Sequence, residues 1–379
     1  MPKVDPNQAA NQSASGNLAL SNAKKAKQDE FYTQLGDIEI ELKYYKSQLR
    51  GKTILCNCDD PFESNFFRYF ALNFNTLGLK KLIATSYVKS PIAGGQLSLL
   101  DMEGLKPEGK EPYAIEINEV PDHKKRGATD LADVEYLLKH DANTSRALNC
   151  DGVYGAGDFR SRECVELLKQ ADVIVTNPPF SLFREFVAQI VAYDKHFLII
   201  GNKNSLHYQE IFKLIKENKM WVGVTPMGRD MLFSVPSQVA EKMVETGKKG
   251  SNYRIVNGAV FGRSPSIWFT NMDNPKRHEQ LPLYKRYTPD EYPTYDNYNG
   301  IEVSKTNEIP CDYDGYMGVP DTFLDKYNPE QFELIGIPFG NLGKEIGVTK
   351  NYRGRTDIAI TKDGKSRCPY SRIIIKRKP

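Results

Sequence analysis

The chain has 379 residues, 40% of them hydrophobic and 26% charged, a composition that excludes an extended disordered protein. No apolar run approaches the roughly 18–20 residues needed to span a bilayer, and the Gln/Asn/Ser/Ala-rich start lacks the apolar stretch of a secretory signal. Net charge is only +3, and the length favours two or three domains over one.

In chain order, residues 1–28 read as a disordered tail that carries Lys24-Lys25-Ala26-Lys27. An amphipathic helix is expected over about Gly36–Leu49, with Ile38, Leu42, Tyr45 and Leu49 on one face and Gly51 just past its end. Thr53–Cys58 reads as a buried strand, Phe66–Leu77 as a helix and Lys81–Tyr87 as a second strand. This β–α–β opening points to a doubly wound α/β sheet. Residues 89–149 are punctuated by Gly94-Gly95, Pro107, Pro112 and Pro121 and read as a looped insertion with a local strand over Tyr113–Val120.

The αβ rhythm then resumes. A helix is expected over Cys164–Lys169, a strand over Val173–Thr176, a helix over Leu182–Tyr193, a strand over His196–Gly201 and a helix over Tyr208–Glu217. Lys219–Val224 and Ser266–Thr270 should close the sheet as an antiparallel edge, around a polar insertion at about 225–253. Beyond Met272 the Tyr/Pro/Asn/Gly-rich chain has little periodicity until a small α+β unit at about Phe332–Ile375. The expected organisation is a catalytic domain over 29–272 and a C-terminal region over 273–379.

The six cysteines have no CxxC spacing and no paired histidines, so no metal site is expected, and they suit reduced thiols in a cytoplasm. Charge is segregated near the C-terminus. Residues 341–379 hold 11 Lys/Arg against 3 Asp/Glu, while 289–333 hold 2 against 11. The basic stretch, with Arg353, Arg355, Lys362, Lys365 and Arg367 interleaved with Tyr352 and Tyr370, suits phosphate contact. A solvated face is the bland reading of the same residues. Lys242, Lys248, Lys249 and Arg254 in the polar insertion form a second basic group.

The sharpest signal is Asn177-Pro178-Pro179-Phe180 at the end of the β-branched run Val173–Thr176. Each proline keeps the residue before it out of the helical region, so the strand must end in a stiff loop. Such a loop lies at the carboxyl end of a strand, where open α/β sheets place their ligands. The Asn177 amide oxygen and the Pro178 carbonyl can accept hydrogen bonds from a planar aromatic amine, and Phe180 offers a face for stacking. That set matches the catalytic loop of S-adenosylmethionine-dependent amino-methyltransferases. Two further groups suit a nucleoside cofactor. Asp59-Asp60-Pro61 follows the first expected strand, and Gly155-Ala156-Gly157-Asp158-Phe159 combines a permissive turn with a carboxylate and a ring. A plain Asx turn and a plain helix start are the bland alternatives.

Together the residues resemble the EcoRI-type family of adenine-specific DNA methyltransferases. The similarity rests on Asp29-Glu30-Phe31-Tyr32-Thr33, Leu55-Cys56-Asn57-Cys58-Asp59-Asp60-Pro61-Phe62, Gly157-Asp158-Phe159-Arg160-Ser161 and Thr176-Asn177-Pro178-Pro179-Phe180, in that order, and covers about residues 29–270. The resemblance implies a Rossmann-like sheet that uses S-adenosylmethionine, with a partly irregular α+β region recognising DNA. By the same implication, Asn177, Pro178, Pro179 and Phe180 form the catalytic loop. Phe31, Thr33, Asp59, Asp60, Pro61, Asp158 and Phe159 line the cofactor pocket.

Double-stranded DNA is then the substrate, and a monomer is expected. A restriction endonuclease that need not bind the chain is the functional counterpart, although phage-borne and orphan roles stay open. The GxG loop usual after the first strand of methyltransferases is replaced by Asp-Asp-Pro-Phe. The acidic residue usual after the second is replaced by Thr85-Ser86-Tyr87. RNA adenine methylation and a catalytically silent DNA-binding role are the rival readings. A protein-glutamine methyltransferase is disfavoured because those enzymes pair Asn-Pro-Pro-Tyr with a Gly-rich cofactor loop.

Overall fold

The computed structural model describes residues 32–58, 60–61, 64–87, 112–123, 129–140, 145–229, 231–235, 237–247, 249–250 and 252–379. The tail at 1–28, Phe31, Asp59 and the first half of the 89–149 insertion lie outside the described residues. The strands in chain order are β1 (Tyr32–Thr33), β2 (Thr53–Cys56), β3 (Lys81–Thr85), β4 (Tyr113–Ile117), β5 (Ser145–Ala147) and β6 (Val173–Thr176). They continue with β7 (His196–Asn202), β8 (Trp221–Val222), β9 (Met231–Ser234), β10 (Tyr253–Val256), β11 (Ala259–Ser264) and β12 (Ser266–Thr270). The last six are β13 (Ile301–Glu302), β14 (Met317–Pro320), β15 (Phe332–Gly336), β16 (Ile360–Lys362), β17 (Lys365–Arg367) and β18 (Arg372–Arg377).

The chain divides into two compact units, the first made of residues up to 39, 49–195 and 231–264, and the second of the remainder. In the first unit the strand order is β5-β4-β3-β2-β6. β2 runs parallel to both β3 and β6, which is the α/β core expected from the sequence, while β4 and β5 join antiparallel. β2 and β6 are buried along their whole length. That burial is why they read as continuous apolar runs with no alternation. Asp172 fastens this centre, because its Oδ2 accepts from Thr53 N at 2.8 Å while its own N–H donates to the Thr53 carbonyl at 2.9 Å.

Helices cover the connections. The Arg162–Gln170 helix starts at Ser161, whose Oγ accepts from Cys164 N, and buries Cys164, Leu167 and Leu168 on one face. The Asn65–Leu72 helix starts at Ser64, whose hydroxyl accepts from Phe66 N, so Ser64 caps it and neither Asp59 nor Asp60 is needed for that task. The helix expected over 36–49 is broken into Leu35–Leu42 and Lys46–Leu49, yet Ile38, Leu42, Tyr45 and Leu49 are all fully buried as the pattern required.

Both insertions hold more regular structure than the sequence suggested. The described part of 89–149 contains β4, the Leu131–His140 helix and β5. The polar insertion contributes to a separate antiparallel sheet, β1-β9-β11-β10, in which Tyr32 and Thr33 pair with Ser234 and Phe233. Asn257-Gly258 turns β10 into β11 with both residues at positive φ (50° and 82°), the requirement of a tight type I′ hairpin.

In the second unit β12 pairs antiparallel with β7 on one side and with β8 on the other, the closing edge expected from the sequence. The Gln209–Lys216 helix buries Ile211, Phe212 and Ile215. Fully buried Glu41 accepts from Val224 N and Thr225 N, each at 2.7 Å, and from the Tyr45 hydroxyl at 2.9 Å. A second four-stranded sheet, β13-β14-β18-β15, recruits residues from the weakly periodic stretch. Its charged anchor is Arg372, which donates from Nε and Nη2 to the 3% exposed Glu302. No helix among the described residues is long and apolar enough to cross a membrane.

Candidate active site

The loop that leaves β6 is held from its first residue. The Thr176 hydroxyl donates to the carbonyl of Asn57, so the chain leaving β6 is tied to the chain leaving the adjacent parallel strand β2. Asn177 follows at 7% exposure, Pro178 is buried, and Pro179 and Phe180 are half-buried. Pro179 sits at φ −56° and ψ 124°, and a single turn over Phe180–Leu182 leads into the Phe183–Ala192 helix. Phe183 and Phe186 are fully buried and hold that helix against the sheet. The Asn-Pro-Pro-Phe segment is thus a short stiff bridge between a buried strand and a buried helix, as its sequence demanded.

The same helix positions the Gly155–Phe159 loop. Phe186 meets Phe159 edge-on with centroids 5.1 Å apart, and Gln189 Nε2 donates to the Phe159 carbonyl at 3.2 Å. Gly157 takes φ +76°, and a Cβ on it would collide with the carbonyl oxygen of Ser86 in the chain leaving β3. Glycine is therefore required at 157 on two counts, backbone sign and close approach. Asp158 is 6% exposed, and its carboxylate is gripped by Arg160. Oδ1 accepts from the Arg160 backbone N at 2.9 Å and from Nε at 3.0 Å, and Oδ2 accepts from Nη2 at 2.9 Å. Arg160 also pairs with Glu185 at 2.9 Å and lies over the rings of Tyr154 and Phe159, at 4.7 and 5.3 Å from their centroids. Its hydrogen bonds to Asp158 push the guanidinium pKa up further still.

Around the end of β2, Asp60 is 8% exposed and accepts from the Tyr113 hydroxyl at 2.8 Å, while Pro61 is buried. Thr33 is held by Asn65, whose Nδ2 donates to the Thr33 carbonyl at 2.7 Å. Cys58, two residues past the end of β2, adopts a left-handed φ of 78°, uncommon for a residue other than glycine.

Among the buried side-chain oxygens with no hydrogen-bond partner in the described residues are Thr33 Oγ1, Asn57 Oδ1 and Thr85 Oγ1. They stand at the carboxyl ends of β1, β2 and β3, and Asn57 and Thr85 are the next pair beyond the Cys56↔Ala84 register of the parallel ladder. A buried polar atom left unpaired costs about 1–3 kcal/mol, so the adjacent pair Asn57 and Thr85 at the carboxyl ends of β2 and β3 suits a polar ligand that completes it. The sequence alone assigns no task to Asn57, Thr85, Arg160 or Tyr113. Only their place near the carboxyl end of an apolar strand run marks the first two. Among the described residues no group of three or more His, Cys, Asp or Glu could hold a metal ion.

A parallel α/β core with an Asn-Pro-Pro-Phe bridge on its carboxyl edge defines the site of an amino-methyltransferase class. Comparison with known proteins narrows the class. The family described as "Adenine-specific methyltransferase EcoRI" matches residues 19–378. Type II methyltransferase M.EcoRI of Escherichia coli is 44% identical over 369 residues, covering 96% of this chain and 97% of that protein. Type II methyltransferase M.MpnI of Mycoplasma pneumoniae is 37% identical, covering 95% of this chain and 98% of that one. A third relative, M.MgeORF184P of Mycoplasma genitalium, is 37% identical over 366 residues. No solved structure matches. The chain belongs to the EcoRI-type family of adenine-specific methyltransferases.

Proposed function

We propose that the protein transfers a methyl group from S-adenosylmethionine to the N6 amine of adenine at a specific sequence in duplex DNA. The observation that carries this reading is the Asn177–Phe180 bridge, water-poor at Asn177 and tied through Thr176 to the end of β2. The N6 lone pair of adenine is delocalised into the ring, which makes the amine a poor nucleophile. Acceptors at Asn177 Oδ1 and the Pro178 carbonyl favour the nitrogen as it becomes tetrahedral and positive, so their stabilisation is concentrated in the transition state. Neither acceptor has to take the proton before the new bond forms, and a neutral Asn suffices. Phe180 gives the base a stacking face worth about 1–3 kcal/mol.

When bound, S-adenosylmethionine supplies an electrophilic methyl on a sulfonium centre. The residues fit such a cofactor. Asp158, held by Arg160, offers lone pairs to an adenine amine, and Phe159 offers a ring beside it. Thr33, Asn57 and Thr85 offer buried oxygens to the hydroxyls and ammonium of the ribose and methionine portions, with Asp60 and Pro61 beside them and Phe31 and Asp59 adjoining in sequence. In this reading the acidic residue usual after the second strand is replaced by the Thr85 hydroxyl and the Asn57 amide.

The target base must leave the stack, at a cost of a few kcal/mol that flanking contacts offset. We assign base and phosphate contacts to residues 273–379, whose basic stretch carries Arg353, Arg355, Lys362 and Lys365, and methyl transfer to residues 29–272. A monomer acting in the cytoplasm, beside a restriction endonuclease that need not bind it, completes the reading. Incubation with labelled S-adenosylmethionine and unmethylated duplex DNA or RNA, followed by nucleoside analysis, tests it. Label in N6-methyladenine of DNA is expected. Label in RNA alone, or in neither, would overturn the assignment.

A further inference from the structure

The second unit carries a cleft of about 490 Å³, within the size range of small-molecule sites and lined by none of the residues described above for methyl transfer. Its buried charged member is Arg277, only 9% exposed. The guanidinium lies 3.5 Å from the centroid of the Trp221 ring, and that indole is fixed by donating Nε1–H to the Met272 carbonyl at 3.0 Å. Nη2 donates to Asn218 Oδ1 at 2.5 Å. Nη1 is buried and has no hydrogen-bond partner among the described residues, and no carboxylate among them lies within ion-pair distance of Arg277. Burial pulls the guanidinium pKa down from its ordinary value, and the opposing influence of Tyr327 and the Asp273 carboxylate does not cancel it.

Buried charges are paired as a rule, and a single water would satisfy Nη1 yet leave the charge unbalanced. The cleft supplies further positive groups at its exposed rim. Lys216 and Lys378 each donate one bond to a carbonyl, Ile335 and Pro329 respectively, which leaves two ammonium protons each for a ligand. Glu330 and Glu333 also line the cleft. They repel an extended polyanion but accept from hydroxyl or amino groups, which separates a small amphoteric ligand from a nucleic-acid backbone.

We propose that this cleft binds a small phosphorylated molecule, with its phosphate on Arg277 between Lys216 and Lys378 and its hydroxyl or amino groups facing Glu330 and Glu333. Arg277 and Asn218 set the phosphate position, because a planar guanidinium backed by an aromatic ring presents its donors in a fixed plane. The cleft shares no lining residue with the Asn177 and Asp158 loops, and the proposal does not depend on the substrate assigned above.

The test uses the full chain and inorganic phosphate, with chloride at equal ionic strength as the control, read by calorimetry and by thermal unfolding. Saturable binding with a rise in Tm is expected for the wild type. Arg277→Gln should weaken it by at least about tenfold, the scale of a charge-assisted hydrogen bond. Should Arg277→Gln fail to fold, the exposed double variant Lys216→Ala/Lys378→Ala should fold and weaken phosphate binding by about threefold or more. No saturable phosphate effect, or equal affinity in the rim variant, would overturn the proposal. Displacement of phosphate by non-specific duplex DNA would also overturn it, by making a backbone phosphate the source. Persistence of phosphate binding at saturating duplex is the outcome the proposal requires.

Discussion

Replacement of Arg160 by leucine is the most informative perturbation of the cofactor side of the site. The substitution keeps the backbone N–H that donates to Asp158 Oδ1 at 2.9 Å but removes the Nε and Nη2 bonds at 3.0 and 2.9 Å. Asp158 is 6% exposed, and removing one partner of a buried pair costs about 3–5 kcal/mol. Arg160 itself is 26% exposed on its side chain, so water shares the loss, and about 2–3 kcal/mol is the better expectation. The Glu185 contact adds little, because that carboxylate is 59% exposed. For a unit of about 150–250 residues, such a loss lowers Tm by roughly 5–10 °C.

The cofactor should feel the change more than the fold does. Asp158 is then held by one bond in place of three, and S-adenosylmethionine affinity should fall by about tenfold or more, as one oriented charge-assisted hydrogen bond is worth. Calorimetry on the folded variant at a temperature well below its Tm, beside Asp158→Ala, measures this. A lowered Tm with unchanged cofactor affinity in both variants would refute the reasoning and leave Asp158–Arg160 as a purely structural pair.

Three other outcomes are expected. Asn177→Ala should lower single-turnover methyl transfer by about 10²–10³, the cost of one transition-state acceptor, with cofactor affinity nearly intact, and wild-type activity would discard the proposed role. Thr85→Val exchanges a buried hydroxyl lacking a partner for a methyl of the same shape. The ligand-free protein should melt at the same or a higher temperature while cofactor affinity drops, and a lowered Tm with unchanged affinity would show that the hydroxyl serves the fold alone. Burial alone would raise the Glu116 pKa, but hydrogen bonds and charge from Lys81 (2.5 Å) and Arg146 (3.4 Å) outweigh it and hold the pKa below the ordinary carboxylate value. A depressed folded pKa gives stability that is present above the unfolded value of about 4.3 and lost as pH falls through the folded one. Glu116→Gln should therefore flatten the acid limb of an unfolding curve below about pH 4.3, and an unchanged acid limb would remove the pair from the account.

What the chain alone determined is local or periodic. The runs Thr53–Cys56 and Val173–Thr176 are apolar because both faces of a central parallel strand are buried, so they could be read before any contact was known. Two consecutive prolines forced the turn at Asn177 whatever surrounds it, and Gly157 announced a backbone conformation that only tertiary contact with Ser86 explains.

Other features were decided by residues far apart in sequence. The break at 43–45 in the first helix follows no helix-breaking residue. The sheet formed when β1 pairs with β9 joins positions some 200 residues apart, which no short-range pattern specifies. The same holds for Thr176 closing on Asn57, 119 residues away, and for the unpaired oxygens of Thr33, Asn57 and Thr85. A hydrogen-bond partner is a matter of three-dimensional neighbourhood, so the sequence marks the loops at the strand ends, and only the folded chain shows which of their oxygens lack a partner within the described residues.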